Sequence, residues 1–140
     1  MDGETPRASQ WTVLIVEDAE TCATTLEVAF LGIPGVDVTL VPSAQEALRL
    51  LRDEKSSVGA LVTDLNMPRM DGFELIERVR ADRRLDGLPI IVVSGDTDPR
   101  TPERILQMGA DAYFSKPYSP VQVRRKLEQL LDATRTRHVP

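Results

Sequence analysis

Four apolar runs in this chain stop abruptly at side chains that can do chemistry. Thr12 to Val16 (TVLIV) ends at Glu17-Asp18, Ala60 to Thr63 ends at Asp64, Pro89 to Val93 (PIIVV) ends at Ser94, and Ala112 to Ser115 ends at Lys116. A carboxylate held at the end of a buried run is expensive unless it is used, and Asp64 is the residue around which the others make sense. Three carboxylates at one rim repel one another, and at least one would tend to stay protonated. Lys116 relieves part of that repulsion, and a hard divalent cation relieves more. Oxygen-only ligands with room for water suit Mg²⁺, octahedral at about 2.0–2.1 Å, with Mn²⁺ as a substitute. A carboxylate surrounded by a cation, an ammonium and a hydroxyl is suited to phosphoryl transfer. Asp64 would be the nucleophile and form an acyl phosphate, while the metal and Lys116 balance charge and Ser94 donates to a phosphoryl oxygen.

That chemistry needs residues distant in sequence to meet, and the pattern of elements supplies the means. The runs before Glu17, Asp64 and Ser94 are β-branched, short and uninterrupted, the signature of strands buried on both faces. Val36 to Val41 alternates as VDVTLV and reads as an edge strand. Between the strands the period becomes helical. Cys22, Leu26, Ala29 and Phe30 share the inner face of a helix ending near Leu31, stopped by Gly32 and Pro34-Gly35. Ser43 with Glu46 is a capping box ahead of Ala47, Leu48 and Leu51. Further helices are expected from about Gly72 to Asp82 and from about Pro99 to Met108, and a last one opens at Pro120 and runs to about Ala133. Five strands alternating with five helices imply an α/β fold: a doubly wound, flavodoxin-like parallel sheet in the order 2-1-3-4-5. In such sheets the site lies beyond the carboxyl ends of the strands, which is where all four groups fall.

Composition narrows the class. The 140 residues suit one domain, expected over residues 11–134, with a flexible arm at 1–10 and a solvated tail at 135–140. A net charge of −5 and a pI near 4.9 disfavour direct nucleic-acid binding. No apolar run is long enough to span a membrane, and the acidic start Met1-Asp2-Gly3-Glu4 is unlike a secretory signal. A cytoplasmic location is expected. Cys22, the single cysteine, is read as a core residue.

In this order, the pair Glu17-Asp18, the run DLNMPRMDG from Asp64 to Gly72, Ser94-Gly95, and GADAYFSKP from Gly109 to Pro117 are specific. The chain resembles a chemotaxis-regulator-like response-regulator receiver domain of bacterial two-component signalling over roughly Trp11 to Ala133. The resemblance implies that Asp64 accepts a phosphoryl group from a phosphohistidine on a sensor histidine kinase or a histidine phosphotransfer protein. It further implies Mg²⁺ binding by Asp18, Asp64 and the backbone carbonyl of Asn66, with Glu17 acting through water. Lys116 would contact the phosphoryl group, Lys116-Pro117 would be a cis peptide, Ser94 would be the switching hydroxyl, and Tyr113 the aromatic that follows it. Asn66 and Asp96 would tune dephosphorylation; both are small and polar, so a phosphoryl lifetime of minutes or less is expected. Family members signal to a downstream partner through the fourth helix, fifth strand and fifth helix. A phosphorylation-dependent dimer also comes with the resemblance, although Ala112 stands where dimer-forming transcription-factor receivers carry an acid.

Competing readings each lack something. A haloacid-dehalogenase-type Mg²⁺ phosphatase needs an acid two residues after its nucleophile, and Asn66 occupies that place. A flavin or nucleotide module needs a phosphate loop after the first strand, where Glu17-Asp18-Ala19-Glu20 would repel one. A receiver-fold module that binds partners without phosphorylation would not need the full acidic set. His138, the only histidine, lies in the tail, so this chain is not expected to be the histidine phosphodonor. Trp11 begins the first strand, away from the proposed chemistry, and its fluorescence is expected to ignore Mg²⁺ and phosphorylation. The output partner, cognate kinase and any further domain are not legible.

Overall fold

The computed structural model describes residues 11–53 and 55–137, with side chains through residue 134. The expected arm at 1–10 and His138 lie outside the described residues. Five strands, β1 (Trp11–Val16), β2 (Val36–Val41), β3 (Val58–Thr63), β4 (Ile90–Ser94) and β5 (Ala112–Ser115), pair in parallel in the order β2-β1-β3-β4-β5. Five α-helices alternate with them: α1 (Glu20–Phe30), α2 (Ala44–Arg52), α3 (Gly72–Ala81), α4 (Thr101–Gln107) and α5 (Pro120–Arg137).

Alternation within the strands builds two cores. Leu14, Val16, Leu61, Ile90 and Val92 face α2, α3 and α4, whereas Val13, Ile15, Ala60, Val62, Ile91 and Val93 face α1 and α5. All of these are essentially inaccessible to solvent. The central strands are therefore apolar on both faces, as an all-parallel sheet requires. β2, at the edge, keeps only Val41 buried.

Local signals set the helix starts. The Ser43 hydroxyl accepts from the Glu46 amide at 3.3 Å, and Asp71 caps α3 by accepting from the Glu74 amide at 2.9 Å. Two expectations are corrected. The last helix does not end near Ala133: α5 continues to Arg137. Thr134 is buried, and its hydroxyl donates to the Leu130 carbonyl. α4 begins at Thr101 rather than Pro99, because Asp98 accepts from the Arg100 amide in a turn ahead of it. A 3₁₀ turn, Arg83–Leu85, follows α3 and had no sequence signal.

Candidate functional site: an acidic cluster around Asp64

Strand register determines who meets whom. β1, β3, β4 and β5 run in parallel and end together, so Glu17-Asp18, Asp64, Ser94 and Lys116 emerge on one edge. Val16 pairs with Thr63, and the Asp64 amide donates to the Val16 carbonyl at 3.1 Å. The Lys116 amide donates to the Ser94 carbonyl at 2.7 Å, which fixes the start of the lysine side chain beside β4. The Lys116-Pro117 peptide is cis.

Asp64 is 5 % exposed and held at both oxygens. Its Oδ1 accepts from the Leu65 amide at 2.6 Å and the Asn66 amide at 3.2 Å, and its Oδ2 accepts from Lys116 Nζ at 2.7 Å. Lys116 Nζ also donates to Glu17 Oε1 at 2.9 Å, while Glu17 Oε2 accepts from the Ala19 amide at 3.2 Å. Glu17 is buried and Asp18 exposed, yet one carboxylate oxygen from each of Glu17, Asp18 and Asp64 lies within 4.8 Å of the others.

One ammonium cannot neutralise three carboxylates. Burial raises the Glu17 pKa, and the hydrogen bonds from Lys116 and Ala19 only partly offset this, with the Asp64 charge adding to the rise. Burial acts against the Lys116 ammonium, but its hydrogen bonds to Asp64 and Glu17 outweigh that and hold its pKa above the ordinary lysine value. The set of oxygen donors, crowded and under-compensated, fits a hard cation bound partly through water.

The remaining residues singled out from sequence divide. Ser94 is fully buried beside the cluster, and its Oγ accepts from the Asp96 amide at 3.0 Å. Nothing would obstruct a Cβ at Gly95, so the space next to Ser94 is open. Asn66 is exposed at the rim and Asp96 half-buried. Tyr113 lies on β5, packed on the α2–α4 side, and its buried hydroxyl has no hydrogen-bond partner among the described residues.

Sequence reasoning missed Gly72. Its amide donates to the Leu65 carbonyl at 2.9 Å, and a Cβ there would collide with the Asp64 carbonyl oxygen and press on Leu65. A close approach of the α3 start to the Asp64 loop thus demands glycine. Cys22 is corrected: it is half-buried rather than part of the core. It lines a groove with Thr21, Thr25, Pro117 and Tyr118 beside Lys116, because α1 turns Ala23, Leu26 and Phe30 inward instead.

Comparison with known proteins places this geometry in a family. The family model "Response regulator receiver domain" matches residues 13–128. A Chemotaxis protein CheY homolog of Campylobacter jejuni is 32% identical over 119 residues, covering 85% of this chain and 91% of that protein. Among solved structures, a response regulator receiver protein from Pseudomonas putida is 31% identical with a TM-score of 0.73, covering 90% of this chain and 98% of that one. The receiver domain of the Francisella response regulator 1452 is 26% identical with a TM-score of 0.78, covering 88% of this chain and 98% of that one. The likeness extends over nearly the whole sheet and its helices, and the chain belongs to the response-regulator receiver domain family.

Proposed function

We propose that this receiver domain is a phosphorylation-dependent switch in which Asp64, with Mg²⁺, accepts a phosphoryl group from the phosphohistidine of a sensor histidine kinase or a histidine phosphotransfer protein. The observation that carries this is the convergence on one carboxylate of two backbone amides, one ammonium and two further acids, drawn from the ends of β1, β3 and β5. In the transfer, the phosphorus–nitrogen bond of the donor breaks as a bond from phosphorus to an Asp64 oxygen forms, and the imidazole leaves to take up a proton. The Leu65 and Asn66 amides keep the carboxylate oriented. Lys116, half-shielded from solvent, is free to exchange its contact with Asp64 for a phosphoryl oxygen without leaving the site.

Asp18 and Asp64, with the Asn66 carbonyl and Glu17 through water, would hold Mg²⁺. The bound cation would offset the charge of the carboxylates and of the incoming phosphoryl oxygens. Ser94 now accepts from the Asp96 amide; rotating its hydroxyl toward a phosphoryl oxygen would give up that bond and shift the loop leading to α4. Tyr113, with an unsatisfied hydroxyl on the neighbouring strand, would respond to that shift. The α4–β5–α5 face is thereby assigned to a downstream partner. The domain works as a switch, and its chemistry is confined to accepting and losing its own phosphoryl group.

Acetyl phosphate with Mg²⁺, read by intact mass, tests the core of this reading. The parent should gain one phosphoryl group and Asp64→Asn none; equal labelling of the variant would reject Asp64 as acceptor. Pull-down with and without beryllofluoride then reports the state-dependent partner.

A further inference from the structure

Away from the acidic cluster, α2 and α3 lie side by side on one face of the sheet, and a groove of about 520 Å³ runs between their outer surfaces. Leu48 and Met70 contribute apolar surface to it, and the guanidinium groups of Arg49, Arg52 and Arg78 surround it. Arg100 pairs with Asp98 at 3.1 Å, Arg124 with Glu128 at 3.7 Å and Arg78 with Glu74 at 2.7 Å, each acid close in sequence. The exposed guanidinium groups of Arg49 and Arg52 make no hydrogen bond or ion pair among the described residues. The charge of Arg52 reaches Asp82 only at longer range. Asp53, the acid on the groove, is exposed, and one of its carboxylate oxygens accepts from the Lys55 amide at 3.0 Å.

Both arginines sit in the last turn of α2, where the helix dipole favours positive charge. That explains their sign. It does not by itself explain two such guanidinium groups beside apolar surface. Guanidinium forks recognise carboxylates bidentately, and an apolar floor between helices suits one side of an amphipathic segment.

From this charge complementarity we propose that the α2–α3 groove docks an acidic, amphipathic segment of a partner protein, its carboxylates on Arg49 and Arg52 and an apolar side chain on Leu48 and Met70. A net charge of −5 repels long polyanions such as nucleic acid or an anionic membrane as a whole, whereas a short segment with a few carboxylates meets only the local field. The site is separate from Asp64 and does not depend on phosphorylation.

The probe is a synthetic Glu/Leu amphipathic peptide, with a Glu→Gln version as control, titrated into the isotopically labelled full chain. The Nε–Hε signals of Arg49 and Arg52 and the Met70 methyl should shift with the Glu peptide only. Affinity should fall about tenfold or more both in high salt and in R49Q/R52Q. Labelling by acetyl phosphate and the melting curve of that variant should match the parent, which separates a docking loss from a folding loss. Shifts mapping elsewhere, equal binding of the Gln peptide, or an unchanged affinity in R49Q/R52Q would overturn the proposal. So would tighter saturable binding of duplex DNA or anionic vesicles through the same arginines.

Discussion

Lys116 Nζ stands 2.7 Å from Asp64 Oδ2 although 52 positions separate the two residues. The contact exists because β3 and β5 flank β4 in register and the cis Lys116-Pro117 bond follows the last residue of β5. Removing the ammonium leaves Asp64 and Glu17 facing each other without it. Lys116→Met should slow labelling by acetyl phosphate about a hundredfold, the cost of losing one donor aimed at developing charge. Lys116→Arg should recover only part of this, since a planar fork does not replace a point charge. Because its hydrogen bonds to Asp64 and Glu17 raise the lysine pKa, the ammonium persists well into alkaline solution. The labelling rate of the parent should therefore show no fall between pH 7 and about 10 that Lys116→Arg abolishes.

Metal binding and the lone tryptophan form a second test. Trp11 begins β1, and Glu17-Asp18 follow its last residue, so the strand length of about 20 Å separates them. Mg²⁺ should release or absorb heat in a calorimetric titration while Trp11 emission stays constant. Asp18→Asn should weaken that binding by about tenfold and raise the melting temperature of the metal-free protein, because it removes one of three crowded charges. A strong quench of Trp11 on adding Mg²⁺ would contradict the separation.

What could be read from the sequence follows from which forces act locally. The strands and their order were legible because both-face burial leaves unbroken runs such as Ile90–Val93, and the ends of those runs exposed Asp64, Ser94 and Lys116 as outliers. Gly72 was not legible, since its necessity comes from the approach of α3 to the Asp64 loop and from nothing in the neighbouring residues. Cys22 was misplaced for a related reason: α1 is wide enough in its apolar stripe that rotation by one position decides between core and rim. The reach of α5 beyond Ala133 was missed because the buried residue there, Thr134, is polar and is held by a hydrogen bond to the Leu130 carbonyl rather than marked by an apolar stripe.

Two glycines near the cluster should behave oppositely. A Cβ at Gly72 meets backbone atoms of Asp64 and Leu65, which cannot move without shifting the acceptor. Gly72→Ala should cost about 1–3 kcal/mol, the usual range for forcing atoms into filled space, and should slow labelling as well. Gly95→Ala has open space around it and should leave the denaturation midpoint within about 0.5 kcal/mol of the parent. Equal destabilisation by the two would show that the loop after Asp64 is more yielding than its contacts suggest.

The life of the phosphoryl group should be set by access of water over Asn66 and Asp96. Asn66 is exposed at the rim, Asp96 is half-buried, and Gly95 adds no side chain between them. With open space at Gly95 and Asn66 exposed, a water molecule is expected to line up behind the phosphorus opposite the bond to be broken. The phosphorylated parent should lose its label within minutes once donor is removed, as followed by intact mass. Asn66→Met narrows that approach without touching the amide that holds Asp64 Oδ1. It should lengthen the half-life about tenfold, equivalent to about 1.4 kcal/mol on the barrier to hydrolysis. A parent half-life of many hours, or a variant that decays as fast as the parent, would mean that water reaches the phosphorus by another path.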